Sequence, residues 1–198
     1  MSTGAAGTCV LVPMKDFARA KSRLRGHLED AARAELARNM FERVLAAACG
    51  CELVQTTYVI TDGLDVARRA RARGAQVLTD PTPALPGLGA LLDWGLAQLR
   101  ARGALRALVL MGDLPGLEPS DVRSLCALLD RYHVVAVPDG RGRSTNALGV
   151  RLPYQAATAF GDPDSYTEHL RRSRALGLAV CEHASPGLAH DVDLVADL

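Results

Sequence analysis

Three aspartates in this chain have the setting of metal ligands. Asp113 directly follows an apolar run in LVLMGDLPGL, and Asp191 and Asp193 lie one residue apart in LAHDVDLV. An ionised carboxylate after a buried strand is costly unless water, a hydrogen-bond donor or a cation compensates it, and side chains at i and i+2 of an extended segment point the same way. Since Mg²⁺ binds through a few carboxylates plus substrate phosphates, we predict that these residues hold one or two Mg²⁺ ions. For Asp191 and Asp193 taken without Asp113, the alternative is that they form a turn or cap a helix.

A short basic stretch offers cations for a polyphosphate. PMKDFARAKSRL, residues 13–24, carries Lys15, Lys21 and Arg23, and its two lysines are the only ones in an arginine-rich chain. A lysine ammonium acts as a compact point charge on phosphate, and the helical pattern that begins here would add backbone N–H donors. The stretch lacks the Gly-x-x-x-x-Gly-Lys-Ser/Thr pattern of a P-loop, so a solvated basic helix start is the alternative.

Two further segments supply neutral donors that suit an anionic acceptor. STNAL, residues 144–148, contains the hydroxyl of Thr145 and the amide of Asn146, and FGDPDSYTEH places Ser165 at a predicted helix start. Hydroxyls, amides and the N–H groups of a helix start all favour an anion, although a simple serine cap is the alternative for Ser165. The five histidines are scattered without a nucleophile partner, so a Ser-His-Asp or Cys-His mechanism has little support.

The elements that must position these residues alternate between strand and helix. The predicted strands, from short apolar runs, are residues 8–13, 56–61, 75–80, 106–111 and 133–138. The predicted helices, from apolar residues at helical spacing, are residues 30–48, 64–73, 88–102 and 119–131. A loop and strand over 140–153, a helix over 165–177 and a strand over 178–183 complete the pattern. It predicts one α/β domain over residues 1–198, with a mostly parallel central sheet and helices on both faces.

This topology brings the candidate residues together. Ligands of open α/β sheets bind beyond the carboxyl ends of the strands, where loops from several units converge. The segments expected at that edge are residues 13–22, 62, 80–89, 113 and 139–146. A substrate site is therefore predicted there from topology alone.

Composition narrows the class of partner. A formal net charge of +1 provides no bulk field for a nucleic acid or a membrane surface. No apolar run reaches the roughly 20 residues that span a bilayer, and MSTGAAG lacks the features of a signal peptide. We therefore expect a cytoplasmic protein that acts on small molecules. Five cysteines without a Cys-x-x-Cys pair indicate reduced thiols, and the sequence leaves both a monomer and a homodimer open.

With these residues identified, the chain resembles the 2-phospho-L-lactate guanylyltransferase family of deazaflavin coenzyme F-420 biosynthesis. PMKDFARAKSRL resembles the family's opening motif, GDLPGL its Asp-Leu-Pro turn, STNAL its Thr-Asn-Ala-Leu loop and DVD its closing pair, in the family's order along nearly the whole chain. The resemblance implies a Rossmann-like nucleotidyltransferase fold. It also implies transfer of GMP from GTP to 2-phospho-L-lactate, phosphoenolpyruvate or 3-phosphoglycerate, with loss of pyrophosphate.

The resemblance also implies roles for individual residues. The expected metal ligands are Asp113, Asp191 and Asp193. The expected catalytic and triphosphate-binding residues are Lys15, Lys21, Arg23 and Asp113. The acceptor is expected at Thr145, Asn146, Gly161 and Ser165. The nucleotide is expected at Pro13, Gly87, Leu88 and Gly89.

Three departures from the family pattern bear on the substrates. Gly89 stands where the family has asparagine, Leu194 and Val195 follow the closing pair where it favours Thr-Pro, and the loop from Gly161 to Ser165 is one residue longer. The glycine at position 89 bears on guanine specificity, and the other two departures bear on the choice of acceptor. Two alternatives therefore stand beside the transferase: a catalytically silent nucleotide-binding paralogue, and a molybdenum-cofactor-type nucleotidyltransferase, which the missing glycine-rich opening loop disfavours.

Overall fold

A seven-stranded sheet forms the centre of the molecule in the computed structural model, which describes residues 7–79, 81 and 85–191. The strands are β1 (Thr8–Pro13), β2 (Val54–Thr61), β3 (Gln76–Thr79), β4 (Arg106–Leu110), β5 (Val134–Pro138), β6 (Thr145–Arg151) and β7 (Val180–Glu182). Their order is β3-β2-β1-β4-β6-β5-β7. Strand β6 pairs antiparallel with β4 and β5, and the other pairings among these strands are parallel. The predicted mostly parallel sheet is confirmed.

Helices cover both faces of this sheet, also as predicted. They are α1 (Asp30–Cys49), α2 (Leu64–Ala72), α3 (Gly87–Ala101), α4 (Pro119–Leu128), α5 (Ser165–Ala175) and α6 (Pro186–Ala189). Apolar side chains of α1, α2, α4 and α6 enter one core, and those of α3 and α5 enter the other. Among the residues that the structure describes, no helix combines the length and apolar character needed to cross a membrane.

The central strands β1, β4 and β5 are largely apolar because each faces two cores. In β1, Val10 and Val12 contribute to the core under α1, while Cys9 and Leu11 contribute to the core under α3. Successive side chains of a strand point to opposite faces, so a strand covered on both sides needs a continuous apolar run. This explains why the strand runs of the sequence are unbroken rather than alternating.

The Asp-Leu-Pro turn after β4 is anchored by its leucines. Leu114 is fully buried and Leu117 nearly so, and both pack in the core that α1 and α4 share. The side chain of Asp113, next to Leu114, is 21% exposed. A buried leucine beside an accessible carboxylate holds the turn in one place, so Asp113 has a defined position at the carboxyl edge of the sheet.

We expect Leu114→Ala to lower the free energy of unfolding by about 2–5 kcal/mol, because it leaves a cavity in a closed core. Leu64→Ala is the matched control, since the Leu64 residue is 87% exposed, and it should change stability by less than about 0.5 kcal/mol. Urea unfolding followed by circular dichroism measures both. Equal losses in the two variants would contradict the anchoring role of Leu114.

Candidate active site

A cleft of about 410 Å³ opens beyond the carboxyl ends of β1 and β4. Its apolar wall includes Met40 of α1 and Met111, which follows β4. The predicted site residues that line it are Pro13, Lys15, Lys21, Arg23, Leu88 and Asp113. The structure therefore brings together, at the predicted edge of the sheet, residues that are up to a hundred positions apart in the sequence.

Lys21 and Asp113 form an ion pair in the wall of this cleft. Lys21 Nζ donates a hydrogen bond to Asp113 Oδ2, and the two side chains are 6% and 21% exposed. Partial burial reduces the screening of such a pair by water. The cleft thus holds a carboxylate against a cation, next to the further positive charges of Lys15 and Arg23.

The basic stretch after β1 does not continue as the helix that its pattern predicts. It forms two short 3₁₀ helices, Phe17–Arg19 and Ser22–Leu24. Between them Lys21 has φ 52° and ψ 39°, a left-handed conformation that costs a non-glycine residue about 1–2 kcal/mol. A left-handed residue cannot extend a right-handed helix, so the chain turns at Lys21, at the point where its ammonium meets Asp113.

Arg33 of α1 secures this stretch. Its residue is 1% exposed, and its Nη1 donates to the carbonyl oxygens of Ala18, at 3.2 Å, and Ala20. Its Nη2 donates to Asp30 Oδ1 at 2.6 Å. A buried guanidinium must be paired, and here most of its partners are backbone atoms of the basic stretch. Sequence reasoning missed Arg33, although an arginine on the apolar stripe of a helix, four residues before Ala37, was an available signal.

The predicted nucleotide residues 87–89 form the first turn of α3, which lies against the loop around Gly161. A Cβ added to Gly89 would lie 3.1 Å from the carbonyl oxygen of Phe160, and one added to Gly161 would lie 3.7 Å from Leu88 Cβ. Gly161 has φ 94°, which favours glycine. The segments predicted to bind nucleotide and acceptor are therefore in contact.

Thr145 and Ser165 are buried, at 3% and 2% exposure, and belong to one hydrogen-bond network. Thr145 N donates to Ser165 Oγ at 3.0 Å, and Thr145 Oγ1 lies 2.9 Å from His169 Nδ1. Ala159 N donates to His169 Nε2 at 2.8 Å, so the proton of the neutral ring lies on Nδ1 and is donated to Thr145. Contact of Thr145 and Ser165 with an acceptor stays a prediction.

His169 is a residue that sequence reasoning missed. It is fully buried, and its ring packs edge-on against Phe160 with 4.8 Å between the ring centroids. Burial, together with the positive charge of Arg172, lowers the pKa of His169 to about 4, against a smaller opposing effect of a backbone hydrogen bond with Ser165. The available signal was its position one helical turn after Ser165.

The amide of Asn146 donates to the segment before Asp191, and its contact with an acceptor stays a prediction. Its Nδ2 donates to the carbonyl oxygen of Leu188 at 2.9 Å and of Ala189 at 3.4 Å. Asp191 follows this contact and is half-buried. Asp193 lies outside the described residues, and within those residues no group of three or more His, Cys, Asp or Glu side chains is placed to hold a metal. The three-aspartate site therefore stays a prediction.

Comparison with known proteins identifies relatives over nearly the whole chain. A family model described as "Guanylyl transferase CofC like" matches residues 8–198. A phosphoenolpyruvate guanylyltransferase from Sphaerobacter thermophilus is 31% identical over 191 residues, covering 96% of this chain and 90% of that protein. Another from Conexibacter woesei is 37% identical over 194 residues, covering 96% and 85%.

Solved structures share the fold at low sequence identity. A nucleotide-diphospho-sugar transferase from Desulfovibrio desulfuricans G20, described as putative, has a TM-score of 0.81 and 18% identity, covering 98% of this chain and 85% of its own. A glucosyl-3-phosphoglycerate synthase from Mycobacterium tuberculosis, in complex with Mg²⁺ and uridine diphosphate, has a TM-score of 0.67 and 17% identity, covering 95% and 71%. These likenesses establish an α/β nucleotidyltransferase fold.

The low pKa of His169 predicts a pH dependence of stability. The unfolded chain takes up a proton near pH 6.5, whereas the folded chain resists it until about pH 4. The contribution of His169 is therefore fully present above pH 6.5 and is lost as the pH falls toward 4, by at most about 3 kcal/mol.

Urea unfolding between pH 4 and 7.5 tests this. The loss of stability of the wild-type protein over that range should exceed that of His169→Gln, which cannot take up the proton. His27→Gln serves as control because His27 is exposed, and it should keep the wild-type slope. Identical slopes for the wild-type protein and His169→Gln would contradict the assignment.

Proposed function

The chain belongs to the CofC-like guanylyl transferase family, and from that membership we propose that it transfers GMP from GTP to a small phosphorylated acid and releases pyrophosphate. The acceptor is phosphoenolpyruvate, 2-phospho-L-lactate or 3-phosphoglycerate, and the product enters coenzyme F-420 biosynthesis. The names of the relatives support phosphoenolpyruvate first. The observation that carries the proposal is the cleft that gathers Lys15, Lys21, Arg23 and Asp113 at one edge of the sheet.

The chemistry requires positioning and charge neutralisation more than proton transfer. An oxygen of the acceptor's phosphate attacks the α-phosphorus of GTP, the bond from that phosphorus to the bridging oxygen breaks, and pyrophosphate leaves in line. Because the nucleophile is already anionic at neutral pH, no strong general base is required. Lys15, Lys21 and Arg23 hold the triphosphate and neutralise its charge, which is how phosphoryl-transfer enzymes commonly lower this barrier.

The carboxylates suit a divalent cation. Asp113 presents a hard oxygen donor in the cleft wall, where the Lys21 ammonium already supplies a positive charge. Asp191, with Asp193 as the predicted third member, would complete a sparse set of oxygen ligands of the kind that Mg²⁺ prefers. When bound, Mg²⁺ would add charge neutralisation at the phosphates.

The experiment that tests the function is pyrophosphate release by the purified protein with GTP and Mg²⁺. The three phospho-acids are compared as acceptors, with ATP and CTP in place of GTP as controls. Release that requires both GTP and one acceptor supports the proposal and names the acceptor. Nucleotide binding without release, under every pairing, would contradict it and favour the silent paralogue.

We expect Asp113→Asn to lower kcat/KM by roughly 10²-fold or more, because the variant keeps the shape of the side chain and loses its charge. Its thermal midpoint should stay within a few degrees of that of the wild-type protein, since Leu114 still anchors the turn. Asp130→Asn is the control: Asp130 pairs with Arg106 at the start of β4, at the opposite end of that strand. A fully active Asp113→Asn enzyme would contradict the metal assignment.

A further inference from the structure

Asn146 is a buried polar residue near the start of the antiparallel strand β6. It is the second residue of β6 and is 2% exposed. Because β6 runs antiparallel between β4 and β5, its first residues lie at the edge where its neighbours end. Asn146 is therefore a buried polar residue at the edge that carries the cleft.

This residue links the two segments that carry the carboxylates. Its backbone carbonyl oxygen accepts a hydrogen bond from Met111 N at 3.1 Å, two residues before Asp113. Its side-chain Nδ2 donates to Leu188 O at 2.9 Å and to Ala189 O at 3.4 Å, and Ala189 lies two residues before Asp191.

The segment that Asn146 holds is closely packed by other contacts as well. Ser185 Oγ donates to Asp121 Oδ1 at 2.8 Å, and Leu188 is fully buried. A Cβ added to Gly187 would collide with the carboxylate of Asp121 and would lie only 2.7 Å from the carbonyl oxygen of Gly116, in the turn that follows Asp113. The segment Ser185–Ala189 is thus seated against the Asp-Leu-Pro turn, and its position depends on that contact.

We propose that Asn146 is a positioning residue: it ties the segment that leads to Asp191 to the end of β4, next to the turn that carries Asp113, and so positions the predicted carboxylate ligands of the transferase. That these carboxylates serve catalysis rests on the proposed function. The positioning role of the Asn146 amide is different from the expected contact of that amide with the acceptor. The amide is required because both of its partners are carbonyl oxygens, which need a donor. Asn146→Ala removes the N–H donor. Asn146→Asp places a carboxylate, which only accepts hydrogen bonds, against two carbonyl oxygens that also only accept them.

The test is Mn²⁺ binding to the substrate-free protein, measured by electron paramagnetic resonance of the free ion. We expect Asn146→Ala and Asn146→Asp to bind Mn²⁺ roughly 10- to 100-fold more weakly, as for other residues that orient metal ligands. Asn39→Ala is the matched control, because Asn39 is exposed on α1, and it should bind as the wild-type protein does. Hydrogen exchange of a peptide over residues 184–191 should become faster in the Asn146 variants and stay unchanged in Asn39→Ala.

A second variant keeps the proposal testable if those of Asn146 fail to fold. Gly187→Ala displaces the same segment from Gly116 without changing Asn146, and it should weaken Mn²⁺ binding similarly. In an Asp191→Asn background, which itself weakens binding, adding Asn146→Ala should cause little further loss, because the two residues act through one carboxylate.

The outcomes separate this inference from the proposed function. Wild-type Mn²⁺ affinity in both Asn146→Ala and Gly187→Ala, or fully additive losses in the double variant, would overturn the positioning role, even if GTP and an acceptor still release pyrophosphate. Loss of Mn²⁺ binding in these variants supports the role, even if the wild-type protein proves inactive with every acceptor tried.

Discussion

The reversed direction of β6 is the constraint on which the site depends. Parallel strands bring their carboxyl ends to one edge of a sheet, and a strand inserted antiparallel between two of them brings its amino end to the same edge. Thr145 and Asn146 therefore meet the end of β4, where Met111 N donates to Asn146 O. In a wholly parallel sheet Thr145 and Asn146 would lie at the far edge, away from the turn that carries Asp113.

The basic stretch after β1 shows how a chain without a P-loop can hold a set of cations in one place. A P-loop relies on glycines and a long helix, whereas here a buried guanidinium from α1 binds carbonyl oxygens of a loop that is broken by a left-handed lysine. The side chain of Arg33 provides the order that regular secondary structure does not. The ion pair between Lys21 and Asp113 then connects this loop to the turn after β4.

Two of the departures that the resemblance implies, Gly89 and the loop that begins at Gly161, lie in contact in the fold. Gly89 lies in the first turn of α3, and the longer loop begins at Gly161, directly after Phe160. The Phe160 carbonyl oxygen would lie 3.1 Å from a side chain at position 89, and Thr158 Oγ1 donates to Gly89 O at 3.1 Å. An asparagine at 89 would require this loop to move, so the glycine and the altered loop are coupled by close packing.

The sequence by itself determined the strands, the helices other than α6, the covered sheet and the edge that carries Lys15, Lys21 and Asp113, because hydrophobic periodicity and strand-end position are local properties. It did not determine the broken helix at Lys21, the guanidinium of Arg33 beneath the loop or the network of His169. Nor did it determine that the Asn146 amide donates to Leu188 and Ala189. Those features depend on contacts between residues up to 43 positions apart or on a single left-handed backbone angle. Only the packed tertiary structure decides which partners a polar side chain meets.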